Sequence, residues 1–287
     1  MDRAALLVLI ALAALAGCSP SQPTIVVGSK NFTEQVILGE IAAAQIERRL
    51  GVHVERKLNL GGTLLAHEAL QSGAIDLYPE YTGTALTQIL HRPIERDAAT
   101  VERDVREAYR AWQIEWLPPF GFDDTFAMVV RSDDARKNDL HTLSDAAKQP
   151  WKLGVGYEFT QRPDGLAGLM QTYNLHLDGE PVTMDLGLLY AALSTKAIDM
   201  AAANATDGML GHDEFLALLD DRHYFPPYEC AIVLREETTR RFPQLEAALR
   251  ELSGKIPPAA MRRMNEQVDI EHRAAADVAR EFVAGLQ

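Results

Sequence analysis

Short apolar runs alternate along this chain with longer segments in which apolar residues recur every three or four positions. The first kind predicts buried strands, and the second predicts helices packed on a core. Gly51 and Gly73 directly follow two of the helical segments, where glycine commonly ends a helix. The predicted strands are 24–28, 52–58, 74–77, 125–130, 152–155, 181–184 and 198–203, and the predicted helices are 33–50, 64–72, 101–112, 165–173 and 186–195.

This order of strands and helices predicts an α/β fold with two lobes and a mainly parallel sheet in each. The pattern runs once before Pro118 and restarts after residue 130. The predicted crossings between the lobes lie near 120–125 and 225–228. Lobe 1 would then hold 24–122, lobe 2 would hold 123–226, and 227–287 would return to lobe 1. Two crossing strands form a hinge, which suits closure around a ligand.

An internal echo supports two related lobes. The stretch 69–76, which reads Ala-Leu, three residues, then Ala-Ile-Asp, recurs at 192–199. Each copy ends a predicted helix and opens a predicted strand, and Tyr81 and Asn204 lie five residues beyond the two aspartates. We therefore expect these side chains to face each other across a cleft. Chance recurrence in an alanine-rich chain is the alternative.

The charge of the chain excludes some partners. With 41 acidic and 28 basic residues, the formal net charge is −13. A nucleic-acid-binding protein needs a basic footprint, so we expect no nucleic acid partner. The charge also disfavours close contact with anionic lipid beyond an anchor. Cys230 precedes an apolar run, and we expect it to be a small core residue.

The N-terminus predicts export and not fold. Arg3 precedes the apolar run 4–16, which is too short to span a bilayer and is typical of a signal peptide over 1–17. The run closes with Leu-Ala-Gly-Cys, which is similar to a bacterial lipobox. That similarity implies a lipid on Cys18, with 18–23 as a tether to the membrane. An ordinary signal peptide with a chance cysteine is the alternative.

Polar motifs follow two of the predicted strands. Gly28-Ser-Lys-Asn-Phe-Thr-Glu-Gln35 and Tyr78-Pro-Glu-Tyr-Thr-Gly-Thr84 bring a lysine, a glutamine, tyrosines and hydroxyls to strand ends, where α/β sheets collect ligands. This mixture suits a small zwitterion better than a phosphate or a metal. The eight histidines are scattered, and neither a phosphate loop nor a serine nucleophile motif occurs. We expect no enzyme activity, no cofactor and no metal.

Five motifs in order resemble the glycine betaine/choline/carnitine substrate-binding proteins of ABC importers. They are Gly-Ser-Lys-x-Phe-Thr-Glu-Gln, Tyr-Pro-Glu-Tyr-Thr-Gly-Thr, Glu-Phe-x-x-Arg-x-Asp-Gly at 158–165, Thr-Asp-Gly at 206–208 and Pro-Pro-Tyr at 226–228. The resemblance covers 24 to the C-terminus. It implies a two-lobed periplasmic-binding-protein fold of type II, a monomer that captures a quaternary ammonium osmoprotectant between its lobes, and a membrane permease as partner.

A quaternary ammonium group has no hydrogen to donate, so it can be held only by aromatic faces and by diffuse negative charge. The family usually does this with four tyrosines, whose positions fall on Tyr81, Phe126, Asn204 and Tyr228 here. Phe126 lacks a hydroxyl and Asn204 lacks a ring. At about 1 kcal/mol per lost ring, binding of a trimethylammonium group would weaken roughly five- to tenfold. This departure puts glycine betaine itself in doubt.

The resemblance also implies the partners of the ligand's carboxylate. Those positions fall on Lys30, Thr84 and Arg162, while Gln35 and Asp124 match other pocket positions of the family. Arginine offers a planar pair of donors that suits a carboxylate. The resemblance thus implies that the two basic side chains orient the ligand.

Each of these residues has a simpler alternative. Lys30 could be a solvated turn residue, and Arg162 could form a structural ion pair with Asp164 or Glu158. Tyr81 and Phe126 could be core residues, Tyr228 could only pack the hinge, and Asn204 could be an ordinary turn residue. Asp207 could cap a helix that starts near Gly208. We expect Phe32 and Glu34 to shape their loop, and Tyr157 is a candidate for the missing ring.

Three rival functions remain open. Asn204 and Phe126 favour a receptor for an amino acid or another polar solute on the same fold. An enzyme on this scaffold would need a catalytic cluster, which we do not find. A sensory ligand-binding domain is usually joined to a transmembrane segment, and no long apolar segment follows residue 17.

Overall fold

The computed structural model describes residues 24–286, so the predicted signal peptide and the whole predicted tether, with the lipid site Cys18, lie outside the described residues. Two five-stranded sheets organise this part of the chain. The first contains β1 (Ile25–Gly28), β2 (Val54–Lys57), β3 (Leu77–Tyr81), β4 (Ile114–Trp116) and β12 (Cys230–Arg235). The second contains β5 (Phe126–Arg131), β7 (Leu153–Val155), β9 (Val182–Thr183), β10 (Met200–Asn204) and β11 (Phe215–Leu218). A small pair joins β6 (Pro150–Trp151) to β8 (His176–Leu177).

Helices cover both sheets. They are α1 (Thr33–Leu50), α2 (Thr63–Ser72), α3 (Thr82–Thr84), α4 (Ala98–Arg110), α5 (Ser132–Asn138), α6 (Leu143–Ala146), α7 (Leu166–Tyr173), α8 (Leu189–Ser194), α9 (Glu236–Arg241), α10 (Leu245–Arg250), α11 (Pro258–Asp269) and α12 (Ala275–Gly285). A π-helical turn at Ala85–Ile89 and 3₁₀ turns at Leu186–Leu188 and Gly208–Gly211 complete them. None of the helices in residues 24–286 has the length and apolar character that a membrane crossing requires.

The two sheets share one topology. Their orders are β2-β1-β3-β12-β4 and β9-β7-β10-β5-β11, and the parallel and antiparallel pairs match along both. In each sheet four strands run in one direction, and only β12 or β5 is reversed. The prediction of two mainly parallel sheets is therefore confirmed. We call the parts built on the first and second sheets lobe 1 and lobe 2; their exact boundaries stay a prediction.

The internal echo corresponds to this shared topology. Its two copies precede β3 and β10, which hold equivalent places in the two sheets. The arginines that end the reversed strands are equivalent too. Arg235 donates to the carbonyl of Leu70 at 2.9 Å, and Arg131 donates to the carbonyl of Leu193 at 2.8 Å. Each arginine thus satisfies a carbonyl at the end of the helix that precedes the central strand.

Strand β3 departs most from the sequence prediction. We expected a strand at 74–77 followed by a polar turn, but the strand runs from Leu77 to Tyr81 and is buried throughout. Strand β3 pairs with β1 only at Leu77, so β1 needs no hydrogen bond from Pro79, which has no backbone N–H to donate. Glu80 is fully buried because it has ionic and hydrogen-bonding partners. The sequence prediction therefore missed most of this central strand because polar residues and a proline interrupt its apolar pattern.

The segments that cross between the lobes lie side by side. The backbone N–H of Asp124 donates to the carbonyl of Tyr228 at 3.2 Å, and an isolated bridge joins Asp123 to Glu229. Cys230 follows as the first residue of β12 and is buried in the core, as expected. The crossings bring both reversed strands, β5 and β12, to the junction between the lobes.

Candidate functional site

A cavity of about 260 Å³ lies between the two lobes. It opens at the edge where the carboxyl ends of β1, β3, β7, β9 and β10 meet. The reversed strands begin at this same edge, so Phe126 at the start of β5 and Tyr228 just before β12 also reach the cavity. Strand direction thus gathers side chains from distant parts of the sequence into one place.

Aromatic rings form much of the cavity wall. Phe32 stacks on Tyr81 with centroids 6.2 Å apart. Phe126 packs edge-on against Phe159 at 4.9 Å and against Tyr228 at 5.6 Å. These contacts fix the ring planes, because each ring is held by a neighbouring ring as well as by its own backbone segment.

The guanidinium of Arg162 lies over two of these rings. Its Cζ is 5.0 Å from the centroid of Phe126 and 5.8 Å from that of Tyr228. Arg162 also forms a two-point ion pair with the buried carboxylate of Asp164, at 2.9 Å and 2.6 Å, and donates to Thr84 at 3.3 Å. Arg162 therefore lines the cavity, as predicted, and also forms the ion pair with Asp164 that was the alternative interpretation.

The carboxylate of Asp164 collects further donors. The phenol of Tyr228 donates to it at 2.5 Å, and the hydroxyl of Thr87 donates to it at 3.0 Å. Asp164 belongs to lobe 2, whereas Thr87 belongs to lobe 1 and Tyr228 lies at the crossing. This carboxylate therefore joins both lobes directly behind the cavity wall.

Lys30 has a similar buried partner. Its Nζ lies 2.5 Å from Glu80 and 3.3 Å from the hydroxyl of Thr63, and it sits 5.1 Å from the centroid of Tyr81. Glu80 also accepts the phenol proton of Tyr78 at 2.9 Å. The lysine is thus a buried, paired cation at the cavity wall and not a solvated turn residue.

Tyr81 is anchored by Glu34, which accepts its phenol proton at 2.8 Å. Burial, with the neighbouring Glu34 charge next in weight, raises the pKa of Tyr81 well above its usual range. Glu34 also bonds to the hydroxyl of Thr206, which lies 2.6 Å from the carboxyl of Asp124. Burial raises the pKa of both Glu34 and Asp124, and for Asp124 the next cause is Glu34 itself.

A third contact joins the lobes at the edge of the cavity. The carboxylate of Glu158, in lobe 2, accepts the backbone N–H of Thr63 at 2.9 Å and its hydroxyl at 3.3 Å. Thr63 begins α2 in lobe 1, and the preceding Gly62 offers no side chain to cap the helix. Glu158 therefore caps this helix from the opposite lobe.

The predicted ligand residues converge in the structure with one exception. The cavity is lined by Lys30, Tyr81, Thr84, Asp124, Phe126, Arg162, Asn204 and Tyr228. Gln35 does not line it. The side chain of Gln35 is buried beneath the loop after β1, where it accepts the backbone N–H of Lys30 at 3.2 Å. Gln35 is thus placed to hold the loop that carries Lys30.

The structure adds lining residues that the sequence argument assigned elsewhere or overlooked. Phe32 was expected only to shape its loop, but its ring lines the cavity, as does the ring of Phe159. Tyr157 lines the mouth of the cavity, with 60% of its surface exposed. Met184, Asp185 and Leu186 line the cavity after β9. These three residues follow the carboxyl end of a strand, so the expectation that ligands bind at strand ends would also have identified them.

Asp207 is not in the cavity wall but lies directly behind it. It precedes the 3₁₀ turn at Gly208–Gly211, but its side chain makes no capping hydrogen bond to that turn. Its carboxylate instead accepts the backbone N–H of Asn204 at 3.1 Å and the phenol proton of Tyr190 at 3.0 Å. Burial raises the pKa of Asp207 to about 7.

Comparison with known proteins gives a consistent result. A family model described as the substrate binding domain of ABC-type glycine betaine transport systems matches residues 23–285. A glycine-betaine-binding protein of Pseudomonas aeruginosa is 33% identical, over 91% of this chain and 87% of that protein. An ergothioneine transport permease/ergothioneine binding protein of Helicobacter pylori is 31% identical over 91% of this chain, which spans only 47% of that relative's length.

A solved structure agrees in fold. The crystal structure of a glycine betaine/carnitine/choline ABC transporter protein superposes with a TM-score of 0.77 at 28% identity. The match covers 91% of this chain and 97% of that one. The two-lobed periplasmic-binding-protein architecture predicted from the sequence is thereby confirmed.

Proposed function

Because the chain belongs to the family of substrate-binding domains of ABC-type glycine betaine transport systems, we propose that it captures a quaternary ammonium osmoprotectant such as glycine betaine, choline or carnitine. The cavity between the lobes would hold the solute, and the closed protein would present it to a membrane permease. Lys30, Tyr81, Thr84, Asp124, Phe126, Arg162, Asn204 and Tyr228 would contact the solute, with Gln35 supporting the loop.

One observation carries this proposal. The rings of Tyr81, Phe126 and Tyr228 already lie 5.0–5.8 Å from positively charged groups of the protein itself. A ring in such a position turns its electron-rich face toward a cation and attracts it by about 0.5 to 2 kcal/mol. A trimethylammonium group in the cavity would be attracted by these rings in the same way, on the parts of the rings that Lys30 and Arg162 do not cover, and would also lose water from its methyl groups.

The anionic end of a betaine would meet Arg162. Its hydrogen bonds to described residues use Nε and Nη2 and leave Nη1 without one. Lys30 carries three N–H donors and engages two acceptors, so it too can give one more hydrogen bond. Both basic groups remain paired with carboxylates, so a ligand carboxylate would share each cation with Asp164 or Glu80.

A second candidate is a more polar solute. Asn204 ends β10 at the cavity wall, where the family pattern has a ring, and it offers an amide instead. An amide can bond to a polar group that glycine betaine lacks. Ergothioneine, the solute named for the Helicobacter pylori relative, combines a trimethylammonium group with a polar ring. An amino acid is the other solute of this class.

The remaining features of the proposal concern location and assembly. The acidic chain would be exported, anchored to a bacterial membrane by lipid on Cys18 and active as a monomer without catalytic turnover. Cleavage before Cys18 and a mass increase from acyl chains on intact protein would support the anchor. An unmodified mature N-terminus would refute it.

Equilibrium binding tests the ligand. Isothermal titration calorimetry would compare glycine betaine, choline, carnitine, ergothioneine, proline and arginine, together with mass spectrometry of any solute that co-purifies with the native protein. We expect a trimethylammonium compound to bind most tightly. Binding of proline or arginine alone would refute the quaternary ammonium assignment. Tyr157→Ala, which removes a mostly exposed ring, serves as the comparison for substitutions deeper in the cavity.

A further inference from the structure

The carboxylate of Glu34 touches both a cavity ring and the opposite lobe. One oxygen accepts the phenol proton of Tyr81 at 2.8 Å. The other bonds to the hydroxyl of Thr206 and accepts the amide of Asn265 at 3.1 Å. Glu34 is on α1 in lobe 1, whereas Thr206 follows β10 in lobe 2. One buried side chain therefore links the orientation of a cavity ring to the contact between the lobes.

The geometry around Thr206 requires a proton on one of two carboxyls. Its hydroxyl bonds to Glu34 and lies 2.6 Å from Asp124, but a hydroxyl has only one hydrogen to donate. If that hydrogen goes to Glu34, Asp124 must be a carboxylic acid that donates to the hydroxyl. This assignment leaves Glu34 accepting from Tyr81, Asn265 and Thr206 together, so every donor in the chain of bonds is satisfied.

Resting on the proposed function, we propose that Glu34 is a positioning residue, which fixes the ring of Tyr81 for the ligand and joins it to lobe 2 through Thr206 and one proton shared with Asp124. Binding that draws the lobes together then takes up this proton from solution. Glu34 itself does not touch the ligand; it lies outside the cavity wall.

The groups that face this network are mostly acidic. They are Asp124 and Asp207 from lobe 2, Asp269 from α11, Tyr81 from β3, Cys230 from β12 and Lys30 from the loop after β1. Lys30 is already paired with Glu80, so it does not neutralise the pair. Burial raises the pKa of Glu34 and Asp124. When the lobes separate and water enters, both carboxyls return toward their ordinary pKa near about 4.

The expected signature is proton uptake on binding. Between about pH 4 and the raised pKa of the closed form, association should weaken by up to tenfold per pH unit as pH rises, because the closed form holds the extra proton. Calorimetry with choline at about pH 6 in buffers of different ionisation enthalpy should give close to one proton taken up per ligand. A ring held by any neutral neighbour would give no such uptake.

Two variants separate this role from simple packing. Glu34→Gln removes one of the two carboxyls, so no proton needs to be shared. Asp124→Asn removes the other carboxyl, so its side chain has no proton to take up. Both should abolish proton uptake and flatten the pH dependence of affinity, whereas Glu68→Gln, an exposed carboxyl of the same lobe, should change neither.

A second readout needs no ligand. Because the extra proton favours the closed form, the radius of gyration of the ligand-free wild type in small-angle X-ray scattering should increase as pH rises above about 4, whereas that of Asp124→Asn should not. Choline binding without proton uptake, or with equal uptake in Glu34→Gln, would overturn the inference. If choline fails to bind but only the wild type opens as pH rises, the ligand assignment fails and the shared proton stands. The same pH dependence of the radius in both proteins, with no binding, would refute both.

Discussion

Closure of the two lobes should depend on Glu158, which caps α2 from the opposite lobe. Replacing it by alanine removes the acceptor of the Thr63 N–H and a negative charge at a helix N-terminus. A charge-assisted hydrogen bond contributes about 1.5–3 kcal/mol, but Glu158 is an exposed residue, so solvent screening reduces this value. We therefore expect a loss of about 1 kcal/mol, equivalent to roughly fivefold weaker ligand binding.

Gly62 gives an independent test of the same contact. A Cβ at this position would lie 2.2 Å from Oε1 of Glu158, so Gly62→Ala must push the carboxylate away. The backbone of Gly62 is extended, with φ −75°, so alanine causes no backbone strain there. We expect Gly62→Ala to weaken binding about as much as Glu158→Ala, and the double variant to be no weaker than either single one.

Calorimetry with choline and glycine betaine measures these affinities. Glu180→Ala is the control, because it removes an exposed carboxyl from lobe 2, the lobe that also holds Glu158. Loss of a helix cap should weaken both ligands equally, because it acts on closure. If Glu158 attracted the ligand's charge directly, choline would lose more than glycine betaine. Affinities of Glu158→Ala within twofold of the wild type, or additive effects in the double variant, would refute the cap.

Three further outcomes follow from the site. Tyr81→Ala and Arg162→Ala should each weaken ligand binding about tenfold or more, roughly 1.4 kcal/mol, with unchanged circular dichroism; unchanged affinity in both would mean that the ligand binds elsewhere. Tyr228→Phe leaves Asp164 short of a donor and should lower the unfolding free energy by about 1–3 kcal/mol in urea titrations. Burial raises the pKa of Asp207 to about 7 in the folded state, so the folded protein binds a proton that the unfolded chain has already lost above about pH 4. The free energy of unfolding should therefore fall as pH rises from about 4 to 7. Asp207→Asn should flatten this profile, and a profile identical to the wild type would contradict it.

Much of the fold follows from local pattern. Helix α1 has the predicted bounds, Thr33 to Leu50, because helical spacing is sustained and Gly51 adopts the left-handed conformation, φ 66°, that ends it. Other elements are shorter than predicted. The expected strand 181–184 is reduced to Val182–Thr183, and the expected helix 186–195 begins as a 3₁₀ turn before α8. Ends of elements depend on tertiary contacts that local pattern does not contain.

Part of the cavity wall could be predicted, because two of its motifs follow strand ends and five motifs resemble those of a known family, whereas the carboxylates behind it could not. Glu80 pairs with Lys30 across 50 positions of sequence, and Glu34 meets Thr206 across 172. A charged residue is ordinarily assigned to the surface, and only a partner supplied by the fold makes its burial favourable. The sequence therefore indicated eight of the residues that line the cavity, but it did not indicate the carboxylates that hold them in place.

These buried carboxylates place negative charge behind the cavity wall, where it favours a cation in addition to the carboxylates of Asp185 and Glu158 in the wall itself. Lys30 and Arg162 are each paired, while Glu34 and Asp124 share one proton under our proposal, so these two ion pairs and the shared pair together carry one net negative charge. Tyr81 and Tyr228 donate their phenol protons to Glu34 and Asp164, which makes both ring faces more negative. A cation thus gains from charge placed behind the rings, whereas the carboxylate of a betaine must compete with Asp164 for Arg162. The positive end of the solute should therefore supply more of the binding free energy than its negative end.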